Sequence, residues 1–205
     1  MWEVIMIIFN KMKNKMGLMQ VILLELAVSF IIGIVIASLT KATYRTNSQY
    51  IDTLVYLDLT EVDKFQLLLF VMQSRVKDYL LIWLFSITIL AIPYNTFFIL
   101  YKGFTVGFVI GALTMLHGWK GTLCGLILGL PHSLVYLVVL VQTVILSYKM
   151  HEKIGNGVYN KRSRLFVKQL PAFFVLLSLT IIGCFMESFL NPPLVAWMKT
   201  ALKLM

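Results

Sequence analysis

Four side chains capable of polar chemistry sit inside long apolar runs: Glu25, Asn95, His132 and Glu187. A carboxylate, an amide or an imidazole at such depth is costly unless it faces other helices or water. Together they would build either polar contacts inside a helical bundle or a path for an ion or proton. Glu25 has a plainer reading as well. It lies only about 8 residues into its run, so it can be protonated or snorkel to the nearer edge. His132 follows Pro131, where the ring removes a backbone donor and predicts a kink.

Catalytic constellations do not assemble. The chain has no P-loop, no GxGxxG between strand and helix, and no GxSxG. His151-Glu152 begins like a zincin motif, but the second histidine is missing. His117, His132 and His151 fall in different segments with no ligand spacing. Cys124 and Cys184 lie in separate apolar runs and read as small packing residues. Neither a nucleophile–base pair nor a metal-bound water can be put together, so no enzyme, cofactor or metal is expected.

The elements that hold these residues are membrane spans. The 205 residues are 60% hydrophobic and 13% charged, with a mean hydropathy of +0.87. A soluble domain is about 45–50% apolar and about 25% charged. The formal charge of +9 suits orientation in a bilayer and contact with anionic lipid, not nucleic acid. The pattern predicts an all-α polytopic bundle in a single membrane domain, with about five transmembrane helices. Spans are expected at about 18–39, 79–100, 103–117, 122–147 and 169–190. Pro93 should bend the second, and Tyr101, Lys102 and Gly103 should form a short turn. The third is then only about 22 Å long, against a hydrocarbon core of about 30 Å. Asn191, Pro192 and Pro193 should stop the fifth.

Around the spans lie polar segments. Residues 1–10 and 194–205 read as interfacial helices. Residues 41–78 are mixed in charge and read as an extracytoplasmic segment. Within it Val62, Phe65, Leu69, Met72 and Val76 form a helical stripe that would rest on lipid or touch a partner. Residues 148–168 carry six basic residues against Glu152 and read as a cytoplasmic loop. With the N-terminus inside, inner segments hold ten Lys and Arg and outer segments eight. Weighting toward short loops favours a cytoplasmic N-terminus and an extracytoplasmic C-terminus.

Two glycine trios mark the centre. Gly103, Gly107 and Gly111 are four apart, as are Gly121, Gly125 and Gly129. Each trio lines one helix face. In lipid such faces let two backbones approach closely. The trios are expected to pack against each other or against a partner, and self-association of the chain through them is open.

The central stretch resembles the stage II sporulation protein M family of bacterial membrane proteins. The matching residues are Asn95, then Lys102-Gly103-Phe104, Gly107-Phe108 and Gly111, then a second glycine-rich helix leading into Pro131-His132. Glu187, Phe189 and Pro192 also fit. Family members often carry an acid four positions after the histidine of Pro-His; this chain has Tyr136. The resemblance implies a non-enzymatic role. Family members form a membrane complex with two peptidoglycan-degrading proteins, the stage II sporulation proteins D and P. That complex remodels septal wall during engulfment. The polar intramembrane residues keep a different expectation alive, a transport or channel subunit working with a separate ATPase.

Overall fold

The computed structural model describes residues 17–40, 63–86, 88, 90–155 and 162–202. The expected interfacial helix at 1–10 and residues 41–62 of the expected outer segment lie outside these. The described residues form five helices: α1 (Leu18–Leu39), α2 (Lys64–Ser86), α3 (Ala91–His117), α4 (Trp119–Gly155) and α5 (Arg162–Leu202). The expected helical bundle is what forms. Four of the helices, α1, α3, α4 and α5, are long and apolar enough to cross a membrane.

α1 begins where the Gln20 side chain accepts the Gly17 amide at 3.1 Å. It ends where the Thr40 hydroxyl donates to the Ile36 carbonyl at 2.8 Å. Its sequence is apolar all round. Val21 and Ile22 are buried near its start, and beyond them the inner face is made of small residues: Ser29, Gly33 and Ala37 turn inward while Leu24, Val28, Ile31 and Val35 face out. That division is stable only in lipid, where outward leucines cost nothing and small residues permit close packing.

The first glycine trio packs on α1. A Cβ at Gly103 would meet Ser29 and the Leu26 carbonyl; one at Gly107 would meet the Phe30 carbonyl; one at Gly111 would meet Ala37 at 2.9 Å. Gly33 of α1 answers from the other side, set against the backbone of Phe104 and Phe108. Numbers rise together along this seam, so α1 and α3 are parallel. The second trio is used differently from the first. Gly121 lies on the Leu113 carbonyl and Gly125 beside Ile110, closing an antiparallel α3–α4 hairpin. Gly118, at φ 62°, makes the turn. Gly129 meets only Ser133 of its own helix. The two trios thus do not face each other, because Gly33 supplies the missing partner for the first.

The second and third spans differ most from expectation. The turn lies at 87–90, not at 101–103, and 91–117 is one helix, not a bent span followed by a short one. Pro93 sits in the first turn of α3, where its missing donor is not needed. Lys102 and Gly103, which looked like turn residues, are mid-helix. Lys102 is neutralised by Asp78 across α2, and Gly103 is a point of contact with α1. Residues 64–78 likewise belong to α2 rather than to a surface segment. α2 packs antiparallel to α5: Leu68 and Val71 cluster with Cys184, and the Tyr79 hydroxyl donates to the Phe173 carbonyl at 2.7 Å. At 23 residues it is about 34 Å long. With Arg75, Lys77 and Asp78 in it, it is not among the four helices apolar enough to cross by composition, but it is the described element that returns the chain between the parallel helices α1 and α3.

α4 runs unbroken through Pro131, and α5 through Pro171, Pro192 and Pro193 to Leu202. The expected stop at 191–193 and a separate last helix are replaced by one continuous element. Each proline removes only its own amide, and neighbouring bonds carry the helix onward. The turn at Thr88 meets His151 of α4 at 3.3 Å. That contact puts the 87–90 turn and the α4–α5 connection at one end of the bundle, and Gly118 at the other.

Packing at Gly107 leaves no room for a methyl group. Gly107→Ala should lower stability by about 1–3 kcal/mol, the usual cost of overpacking. Gly129→Ala should be neutral or stabilising, since Ala is the better helix former by about 1 kcal/mol. Thermal unfolding of the two variants in mild detergent checks the contrast.

Candidate functional site

The polar residues fall into groups at different places in the bundle. The richest lies between α2, α4 and α5. The Arg75 guanidinium donates to Glu187 through Nε at 3.1 Å and through Nη2 at 2.8 Å. This two-pronged geometry is the strong form of an arginine–carboxylate pair. The Tyr136 hydroxyl donates to the same carboxylate at 2.9 Å. Its ring also lies under the Arg75 guanidinium, 4.9 Å from centroid to Cζ. His132, one turn earlier on α4, brings Nε2 to 4.0 Å from Glu187 and stacks edge-on against Tyr136 at 5.7 Å. Asn191 lies one turn past Glu187 on α5, and its Oδ1, like His132 Nδ1, is buried without a hydrogen-bond partner among the described residues.

Local sequence explains each placement. His132 and Tyr136 are four apart on one face of α4, and Glu187 and Asn191 are four apart on one face of α5. Gly183 makes room for the tyrosine: a Cβ there would stand 2.6 Å from Tyr136 Cε1. The Glu187 side chain is 15% exposed and that of Arg75 32%. The carboxylate is thus held by Arg75 and Tyr136 from two other helices, with His132 alongside, while the arginine keeps an open edge.

A second pair joins α2 to α3. Lys102 Nζ donates to Asp78 Oδ2 at 2.6 Å and lies 5.1 Å from the Phe98 ring centroid. Arg75, Asp78, Lys102, His132 and Tyr136 all line one cavity of about 300 Å³, together with apolar side chains such as Leu26 and Leu137. The cavity lies well inside the bundle: Arg75 and Lys102 are each about 16 Å along their helices from the 87–90 turn.

Of the residues singled out in the sequence, the structure brings His132 and Glu187 together. Glu25 and Asn95 are elsewhere, between α1, α3 and α4. Asn95 is fully buried and donates through Nδ2 to the Ser147 hydroxyl at 2.8 Å. Thr96 and Tyr148 are hydrogen bonded at 3.2 Å beside it. Glu25 is half-buried, close enough to Tyr148 to act on it electrostatically. This layer closes the end of the bundle near the 87–90 turn and makes no contact with the Arg75 cluster. Pro131 lies beside His132 in the chain. Arg75, Asp78, Lys102 and Tyr136 are the site residues that spacing did not reveal.

The family model described as Stage II sporulation protein M matches residues 22–192. That range runs from early in α1 to residue 192 of α5 and contains every residue of both polar layers. The chain belongs to the stage II sporulation protein M family. No curated protein and no solved structure is similar enough to match it. Within this stage II sporulation protein M chain, Tyr136 stands at the position where the resemblance led us to expect an acid. It faces Glu187 as a donor, and a second carboxylate there would repel instead.

Breaking the Arg75–Glu187 pair should cost more than deleting it. Glu187→Leu leaves a guanidinium without its counter-charge and should lose about 3 kcal/mol, the low end for such a break because Arg75 is partly exposed. The double variant Arg75→Leu/Glu187→Leu should recover most of that loss. Denaturant titration of both in the same detergent measures the difference.

Proposed function

We propose that this protein is a non-enzymatic membrane scaffold. It recruits and localises peptidoglycan-degrading proteins while septal wall is remodelled during engulfment in sporulation. The observation that carries this reading is the family match across 22–192, and the geometry supports it. α1 is seated on backbone atoms of α3, and Arg75, Asp78, Lys102 and Glu187 are spent on one another. Such a bundle is a rigid platform. The protein lies in the bacterial cell membrane with its N-terminus in the cytoplasm and its C-terminus outside. The basic residues of 148–168 then flank the cytoplasmic end, and losing Lys102 from the inner count leaves that bias resting on them. The outer segment 41–62, with the start of α2, meets the stage II sporulation proteins D and P.

A specific observation favours a second reading, a transport or channel subunit working with a separate ATPase. His132, Arg75, Asp78 and Lys102 line a cavity deep in the bundle, and polar residues at depth often mark pathways.

Co-purification in mild detergent from sporulating cells separates the two. The scaffold reading expects proteins D and P with the chain, and a disulfide crosslink to one of them from Gln66→Cys, exposed near the start of α2. Recovery of an ATPase with neither protein would overturn it. In that event flux through the reconstituted chain should fall in His132→Ala.

A further inference from the structure

α2 carries three charges near its middle: Arg75, Lys77 and Asp78. Arg75 is neutralised by Glu187 and Asp78 by Lys102. Lys77 is the third. It is exposed, and among the described residues it makes no ion pair or hydrogen bond. It lies about 13 Å along the helix from Ser86 at the 87–90 turn. A four-carbon stem covers only part of that distance, so the ammonium does not escape to the interface by snorkelling. A charge in that position is costly unless something pairs with it.

Its surroundings have the form of a seat. Lys77 and Gln73, one helical turn apart, line a groove of about 840 Å³ along α2 and the start of α5, walled by Leu69, Leu84, Trp83 and Phe173. The walls are apolar, and the two polar groups project from one side at mid-depth. Lipid tails fill such a groove but offer no partner for an ammonium or an amide. A lipid headgroup carries the right charge at the wrong depth.

We propose that this groove holds a transmembrane helix of a partner protein, apolar along its length except for one aspartate or glutamate at mid-depth. That carboxylate pairs with Lys77, and Gln73 adds a hydrogen bond one turn away. A second copy of the chain does not meet the description. Its acids within the described helices are Glu25, Asp78, Glu152 and Glu187, and Glu152 lies in the last turn of α4, away from mid-depth. Asp78 and Glu187 are held in ion pairs, and Glu25 is turned toward Tyr148 with one oxygen buried. The proposal deepens the scaffold reading and rests on it for the role of the guest, not for the existence of the seat.

The experiment uses the full chain, reconstituted in phosphatidylcholine vesicles and labelled for energy transfer. The probe is a synthetic leucine–alanine transmembrane peptide with one central glutamate. The same peptide with glutamine is the control. The glutamate peptide should associate at least about tenfold more tightly than the glutamine peptide. K77L should erase the difference, and K77E should transfer the preference to a peptide with a central lysine. Gln73→Cys should form a disulfide with a cysteine one turn from the peptide's glutamate. K77L removes only an exposed charge, so an unchanged thermal midpoint certifies its fold. Equal binding of the two peptides, or a preference untouched by K77L, would overturn the proposal. Energy transfer between copies of the chain that disappears in K77L would overturn it too, by assigning the groove to self-association. Failure to recover proteins D and P from cells would sink the scaffold reading and leave this result standing.

Discussion

An unpaired charge in hydrocarbon is costly for a marginally stable chain, and Arg75, Asp78, Lys102 and Glu187 are arranged around meeting that constraint. Arg75 and Glu187 are 112 residues apart in the chain. They satisfy each other only if α2 lies against α5. The pairing of Lys102 with Asp78 then draws α3 to the same helix. With α3 fixed, its glycine face decides where α1 sits, and the turn at Gly118 decides where α4 sits. One electrostatic requirement in α2 is thereby passed through four helices.

The two halves of the bundle are held by different forces. The α1–α3 seam is backbone against backbone at Gly33, Gly103, Gly107 and Gly111, held by dispersion and shape in a solvent as apolar as the helices themselves. The α2–α4–α5 half is held by hydrogen bonds and charge, with Tyr79, Trp83, Val139 and Leu176 packed beneath them. The cavity lies where the two halves meet. Its polar lining comes from α2, α4 and, through Lys102, from α3, while its α1 wall is the apolar Leu26.

The fold class, the helical spans and the importance of the glycines were legible, because hydropathy and four-residue spacing are local signals. The packing partner of each trio was not. Gly33 is one small residue among the aliphatic side chains of α1 and announces nothing by itself. α2 misled for a clearer reason. Its stripe of Phe65, Leu69, Met72 and Val76 looks like the buried face of a surface helix. In the structure Phe65 and Leu69 are exposed and Met72 and Val76 half-buried, while Arg75 and Asp78 turn inward. An amphipathic pattern does not say which face is inside until the solvent is known. Lys102 failed as a signal in the same way, since a lysine marks an interface only while its counter-charge is unknown. His132 and Glu187 could be singled out as costly residues at depth, but nothing local tied them to Arg75.

The arrangement of the bundle requires α2 to cross the membrane, with its charges held inside and its turn at 87–90. Single cysteines at Thr88, Lys102 and Gly118, labelled with a membrane-impermeant maleimide in sealed vesicles, test that directly; Cys124 and Cys184 are replaced first. The account predicts that positions 88 and 118 react from opposite faces and that position 102 stays silent from both. Labelling of 102 from the face opposite 118, with 88 silent, would restore a turn at 101–103 and contradict it.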